Sequence, residues 1–479
     1  MRLFSKFYLP ALAVVGSFVA SGLAEDQCRC ANAGCTPVYE NGTSIYGDPK
    51  AGKQGCLNGA LPTNLGNSSL SIWTHNLTSI ELRDDFNLTC PNAADTHSPR
   101  MAATIGAGVQ DGEMYEALAA QNALAVGGTS SDVGVIGWAT GGGHGFATGK
   151  YGQGPDNILQ AEIVTPAGKV LIANQCQNQD LYWAICGGGG GTFGVITKLT
   201  VKAYPAPELV IGGFGIKAKN QTSEAEFYKV IADAHPLFPE IQDAGVHGYY
   251  TVTGPPEAEA LTFSGSFIGF GISNKTYDNA LASSIEMLEA PNGTVTWSLN
   301  KLPVSTWQEL LKILPDIGTT VMEKTEEFEA VYKKIGPTKE APLNGLPNLS
   351  ISGTLTISPK PVNNSLHPSW RSATVHLIIG QSWTDPTNET QVRDIVHDMT
   401  NRKLKSLREL DLAQGAYLNE GNSIEPDWQW SFWELNYARL REIKERYDPE
   451  GLLWYPQCVG SEDWVQRQDG RLYRTFTPW

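Results

Sequence analysis

Residues 138–157 read WATGGGHGFATGKYGQGPDN, and after a gap of 28 residues a second glycine run, CGGGGGTFG, spans 186–194. Glycine permits positive φ and lets another group approach the main chain, so both runs suit a phosphate or a flat ring. The specific nucleotide patterns are absent. There is no G-x-x-x-x-G-K-[ST], and GGGGGTFG satisfies G-x-G-x-x-G only because it is nearly all glycine. The plain alternative for each run is a tight turn or a close backbone crossing. His144, alone in the first run, reads as a base, as a donor to a cofactor, or as a packed ring. The other seven histidines are scattered, without H-E-x-x-H or a second His at ligand spacing, so no metal site is expected. No G-x-S-x-G elbow is present, which argues against an α/β-hydrolase.

The 479 residues suffice for two or three domains, with globular proportions of apolar and charged residues. A formal charge of −15 excludes ordinary phosphate-backbone binding, so no nucleic-acid partner is expected. The first 24 residues have a basic start (Arg2, Lys6), an apolar stretch from Tyr8 to Ala20 and a small-residue exit before Glu25. That is the layout of a secretory signal, with an apolar stretch too short to span a bilayer. Nothing later reads as a membrane helix. Ten N-x-S/T sequons, at Asn41, Asn67, Asn76, Asn87, Asn220, Asn274, Asn292, Asn348, Asn363 and Asn388, agree with export and glycosylation. Eight cysteines in an exported chain imply a few disulfides, whose pairing the sequence leaves open.

Along the chain, LSIWTHNL reads as a strand. DGEMYEALAAQNALAV reads as a helix with Met114, Leu118, Ala119 and Leu124 turned inward. NILQAEIVT, the turn PAGK and VLIAN form a hairpin pattern; NQDLYWAI is a short helix and FGVITKLTVKAYP a strong strand. An antiparallel element among helices argues against a plain βαβ array. Beyond Pro205 and Pro207, helical segments alternate with strand-like runs, as expected of a second α+β domain. The terminal SFWELNYARLREIKERYDPEG places Ser431 and Glu434 at capping-box spacing. Leu440, Ile443 and Tyr447 follow at helical spacing, and Asp448, Pro449 and Gly451 form the stop.

The order of these signals says more than any one of them. GGTSSDVGVIGWATGGGHGFATGKYGQGPDN, then EIVTPAGKVLIAN, then DLYWAICGGGGGTFGVITKLTV, resembles the flavin domain of FAD-linked oxidases of the p-cresol methylhydroxylase type. NYARLREIKERYDPEGLLWYPQCVGSEDW resembles the C-terminal segment of the berberine-bridge-enzyme-like branch. The resemblance covers roughly Leu70 to Pro205 and Tyr417 to Trp464. It implies an α+β, two-domain flavoprotein of the vanillyl-alcohol-oxidase type. The expected division is a signal peptide at 1–24, an irregular segment at 25–69, an FAD-binding domain at 70–205, a substrate-binding domain at 206–410 with an antiparallel sheet and a helical layer, and a C-terminal segment at 411–479 returning to the FAD domain.

The resemblance further implies FAD contacts from Thr129, Ser130, Ser131, Gly134, Gly137, Gly141, Gly142, Gly143, His144 and Gly145. To these it adds Asp156, Asn157, Gly194, Val195 and Ile196, and, from the final helix, Asn436 and Tyr437. Many relatives attach the flavin through a cysteine where Ser130 stands, and through a His in a Gly-His pair of an earlier subdomain. Only the segment from Thr36 to Ser69 separates Cys35 from Leu70, without apolar runs or a Gly-His pair. The first FAD subdomain is therefore expected to be missing, and the FAD to be non-covalent.

In this family the substrate's hydride passes to the flavin N5 while a side chain takes a proton, and dioxygen reoxidises the flavin. Read as a strand, GAYLNE puts Tyr417 and Asn419 on one face and Glu420 on the other. Tyr417 is the first candidate base and Glu420 the second, with ordinary sheet residues as the plain alternative. Cys186 reads as structural or disulfide-bonded. The expected protein is a secreted FAD-dependent oxidoreductase acting on an alcohol, sugar or secondary metabolite, with dioxygen as partner and no membrane partner. The alternative is a degenerate, non-catalytic secreted protein of the same fold that binds a small molecule or glycan.

Overall fold

The computed structural model describes residues 39–40, 43–44, 72–88, 90–91, 100–254, 258, 260–289, 293–302, 304–313, 350–358, 360–380, 389–408, 415–422, 424–467 and 471–475. The signal segment and nearly all of 25–69, on which the missing-subdomain expectation falls, lie outside the described residues.

A first antiparallel sheet contains β1 (Ile80–Phe86), β2 (Arg100–Gly106), β4 (Ile158–Val164), β5 (Val170–Asn174) and β6 (Val195–Pro205) in the order β1-β2-β6-β4-β5. The short β3 (Ala123–Ala125) pairs with β6. The turn PAGK joins β4 to β5 as the alternation of their apolar residues requires. Helices α1 (Asp111–Ala119), α2 (Val135–Gly141) and α3 (Gln179–Ile185) pack on this sheet. Met114, Leu118 and Ala119 turn inward on α1, while Leu124 is buried in β3. Of LSIWTHNL, the described residues 72–77 contain a turn, closed by Leu77 N–H donating to Thr74 O, and the strand begins only at Ile80. The reason lies across the chain. A Cβ on Gly106 or Gly108 would sit 2.1 Å from Leu77 O or 2.2 Å from His75 O, so this segment crosses the end of β2 at backbone contact.

A second antiparallel sheet contains β7 (Leu209–Ala218), β8 (Val246–Thr253), β9 (Thr262–Phe270), β10 (Val295–Leu302), β11 (Ser350–Leu355) and β12 (His376–Gly380), in the order β10-β7-β9-β8-β11-β12. Helices α4 (Glu224–Ala234) and α5 (Asn274–Glu289) cover one face, burying Phe227, Ile231, Tyr277 and Leu281 against Phe263 and Phe267, and α6 (Glu389–Asp398) follows β12 in the chain. Ser223 caps α4 through a capping box with Glu226.

The C-terminal segment packs into the first core, where Phe432, Trp433, Leu440, Ile443 and Val459 join Leu181, Trp183 and Phe193. Two buried donors fix it to the second glycine run. Trp433 Nε1 donates to Gly187 O at 2.9 Å, and Lys444 Nζ donates to Thr192 O and Asp448 Oδ2, both at 2.7 Å. The final helix is α8 (Asn436–Tyr447), with Leu440 and Ile443 buried as their spacing requires. Its start departs from the capping-box expectation. Ser431 lies inside α7 (Trp428–Trp433), and Glu434 ends that helix at φ 52°. Ser431 Oγ instead accepts from Arg408 Nη2 at 3.0 Å, a tertiary bond that local spacing cannot reveal.

Cys90 pairs with Cys176, linking the loop after β1 to the end of β5. Cys186 is a free, buried thiol, so the disulfide-bonded option for it falls away and a packing role remains. Among the described residues no helix is long and apolar enough to cross a membrane.

Candidate active site

Where the two sheets meet, the chain gathers His144, Tyr249, His376, Tyr417 and Glu420. His144 follows α2, Tyr249 lies on β8 and His376 opens β12. Tyr417 and Glu420 come from the segment before α7. GAYLNE is a turn here rather than a strand: Glu420 N–H donates to Tyr417 O at 3.1 Å. The turn overrides strand alternation and brings Tyr417 and Glu420 to one side, each against the His144 ring.

His144 Nε2 lies 3.0 Å from Glu420 Oε1, and its Nδ1 lies 2.9 Å from the Tyr249 hydroxyl. A carboxylate only accepts, which assigns the proton to Nε2 and leaves Nδ1 to accept from the phenol. Burial pushes Tyr249 and Tyr417 well above the ordinary phenol range, so both hydroxyls stay protonated. Burial also disfavours charge on Glu420. The neighbouring His144 and His376 outweigh that effect and hold its carboxyl below the ordinary range. His376 is buried enough to fall to about 4, and is neutral at physiological pH. Two atoms remain buried without a partner, Glu420 Oε2 and His376 Nδ1. Asn419 Nδ2 donates to Tyr417 Oη at 2.9 Å and to Gly137 O at 3.2 Å, which fixes the phenol over the first glycine run. Trp370 walls the cluster, its ring centroid 5.5 Å from His376 and 5.6 Å from Tyr417.

The glycines of this run are required by the chain's own atoms. A Cβ at Gly141 would meet Asn419 at 2.3 Å, at Gly143 the Trp138 ring at 2.7 Å, and at Gly145 the Gly127 carbonyl oxygen at 1.8 Å. Gly142, at φ 131°, faces Tyr417. The second run behaves alike: Gly194 abuts Ile163 at 2.6 Å, and Val195 and Ile196 pair with Val164 and Ile163 in the sheet. At Gly141, Gly142, Gly143 and Gly145 the place a Cβ would take is filled by the protein itself.

Donors suited to a cofactor stand upstream. The turn at 129–132 precedes α2, and the main-chain N–H groups of Thr129, Ser130, Ser131 and Asp132 donate to no acceptor among the described residues. Ser131 Oγ and Asp111 Oδ1, beside this turn, are buried without partners. A cluster of free amide donors with an unsatisfied hydroxyl fits the electronegative edge of a flavin or its diphosphate. Ser130 Oγ donates to Asp132 Oδ1 at 2.7 Å and offers no thiol for attachment. Gly134 caps α2 and Gly137 lies within it, with Gly137 O turned to Asn419.

Other expected contacts are engaged inside the protein. Asp156 forms a bidentate pair with Arg371, at 2.7 Å on each arm, and accepts from Asn364 Nδ2 at 2.8 Å. Asn157 donates to Gly152 O and Gln153 O and accepts from Tyr204. Asn436 donates to Leu366 O, and Tyr437 donates to Glu462. These four side chains are held by partners distant in sequence, Asn436 through its Nδ2. Sequence reasoning missed His376, Tyr249 and Trp370, which carry no local motif.

Asp111 makes a test of the turn. Burial raises its carboxyl to about 8, although Gly128 N–H, 2.9 Å from Oδ2, opposes this. The folded chain therefore keeps a proton that the unfolded chain releases above pH ~4, and stability falls as pH rises towards 8, by up to ~1.4 kcal/mol per unit. Asp111→Asn keeps an acceptor for Gly128 and carries no charge. Its melting temperature relative to wild type is expected to rise steadily from pH 5 to 8; a constant difference across that range would contradict a protonated Asp111.

The comparisons agree with this architecture. The FAD binding domain family matches residues 74–174, and the berberine and berberine like family matches residues 416–460. An uncharacterized FAD-linked oxidoreductase of Arthroderma benhamiae is 30% identical over 427 residues, covering 84% of this chain and 72% of its own length. The FAD-linked oxidoreductase malF of Malbranchea aurantiaca is 32% identical, covering 83% of this chain and 69% of its own. A solved VAO-type flavoprotein of Myceliophthora thermophila superimposes with a TM-score of 0.70 at 26% identity, covering 86% of this chain and 75% of that one. Fold and site together define a two-domain α+β flavoprotein of the VAO type. The chain belongs to the FAD-linked oxidoreductases of the berberine-bridge-like branch, is an oxidoreductase, and uses FAD as its cofactor.

Proposed function

We propose that this chain is a secreted, glycosylated oxidase that oxidises a hydroxyl group of an alcohol, sugar or secondary metabolite, with Glu420 as base and dioxygen as final electron acceptor. The observation carrying this reading is the Glu420 carboxylate, ionised at neutral pH, with one oxygen held by His144 and the other buried without a partner among the described residues. FAD, when bound, takes up the two electrons that leave the substrate. Glu420 Oε2 accepts the hydroxyl proton, and His144 Nε2–H steadies the other oxygen as the charge is neutralised. Tyr249 fixes the His144 tautomer. Tyr417, its oxygen held by Asn419, keeps its own proton to donate to the substrate oxygen. Thr129, Ser130, Ser131 and Asp132 hold the cofactor through main-chain donors, without a covalent bond at Ser130.

Support for export comes from the sequons. Asn76, Asn87, Asn220, Asn274 and Asn363, those among the described residues, are all exposed. The test is to purify the chain from culture medium and record hydrogen peroxide formed across a panel of alcohols and sugars. Acid precipitation should leave all yellow colour in the supernatant. No peroxide with any substrate, under air, would overturn the oxidase reading.

Tyr417→Phe separates the two candidate bases. Losing one hydroxyl contact of about 1 kcal/mol should lower kcat by roughly fivefold. A loss beyond about a hundredfold, with an altered pH profile, would return the base role to the phenol.

A further inference from the structure

Histidines 232 positions apart in sequence meet at this site. His144, His376 and Glu420 each offer a ligand atom, and the three atoms lie within 4.8 Å of one another. His144 Nε2 and Glu420 Oε1, 3.0 Å apart, are already near the ~3.3 Å that bonds of ~2.0–2.1 Å subtend at a tetrahedral zinc. His376 Nδ1 and Glu420 Oε2 are buried without partners, and such atoms in a native fold call for an occupant. The His144 ring is oriented by the Tyr249 hydroxyl at Nδ1, the second-layer contact that metal-binding imidazoles use. Two imidazoles and one carboxylate leave further coordination positions open, as at sites where zinc binds a small molecule.

We propose that His144, His376 and Glu420 form a binding site for a divalent cation of the zinc type, and that the bound cation inhibits turnover by occupying the carboxylate. On binding, the single His144 proton passes from Nε2 to Nδ1 by exchange with solvent, Nδ1–H then donates to the Tyr249 oxygen, and both rings coordinate as neutral imidazoles. Binding itself is independent of the reaction. Only its effect on turnover rests on Glu420 acting as base, since the cation's charge makes a coordinated carboxylate too weak a base for the substrate proton.

The test uses the FAD-loaded, secreted protein. It is equilibrated with zinc, passed through a desalting column and assayed for metal by mass spectrometry, beside His376→Asn and Glu420→Gln. Wild type is expected to keep about one zinc per chain, and each variant to lose affinity by at least ~10-fold. Flavin absorbance and melting temperature show whether each variant is folded; His376→Gln, closer in volume, replaces an unstable His376→Asn. Equal zinc content in wild type and both variants, or none in wild type, would overturn the site. Zinc should also lower peroxide formation, with chelation restoring it. Zinc retained while Glu420→Gln turns over normally would leave the site standing and sink the base assignment. Zinc absent while Glu420→Gln is inactive would do the reverse.

Discussion

Glu420→Gln is expected to lower kcat by ~10²–10⁴ while the protein stays folded and yellow. The amide matches the carboxylate in shape and can still accept from His144 Nε2, so the local packing survives. What it loses is the charge that takes the substrate proton. The measurement is anaerobic reduction of the flavin by substrate, followed by its absorbance, with FAD content determined on the same sample. Unchanged reduction would remove Glu420 from the reaction. Loss of FAD in parallel with activity would recast it as a residue that holds the fold or the cofactor.

The second large effect falls on stability. Asp156→Ala is expected to destabilise the chain by ~3–5 kcal/mol, because it leaves the Arg371 guanidinium, mostly buried, with neither arm of its bidentate partner. Asn364 Nδ2 and Gln153 N–H lose their acceptor in the same change. The pair ties the start of the β4–β5 hairpin to the segment leading into β12, so its loss loosens the junction on which the site is built. Chemical denaturation in the presence of FAD reads this out. If Asp156 were instead a cofactor ligand, the variant would show normal apoprotein stability with weakened FAD binding.

Much of the fold was legible because it rests on local periodicity and turn chemistry. The hairpin around PAGK, α3, β6 and the buried face of α8 follow from apolar spacing and from where Pro and Gly sit. The errors arose where a distant partner overrides local preference. LSIWTHNL looks like a strand, yet its residues 74–77 cross the end of β2 over Gly106 and Gly108 and turn there. Ser431 has the spacing of a cap, yet Arg408 takes its hydroxyl. GAYLNE alternates like a strand, yet the bond from Glu420 N–H to Tyr417 O folds it back.

The site divides in the same way. The flavin domain and the berberine-bridge-like C-terminal segment are legible without a structure, because long collinear motifs encode both. The sequence also singled out His144, Tyr417 and Glu420. The crowding at Gly141 and Gly145 comes from Asn419 and Gly127, neighbours that the fold alone supplies. The tertiary structure alone assigned Asp156 to Arg371 and brought His376 to His144. Sequence spacing records neighbours along one strand or helix, and these contacts form where two sheets and a returning C-terminal segment close on one another.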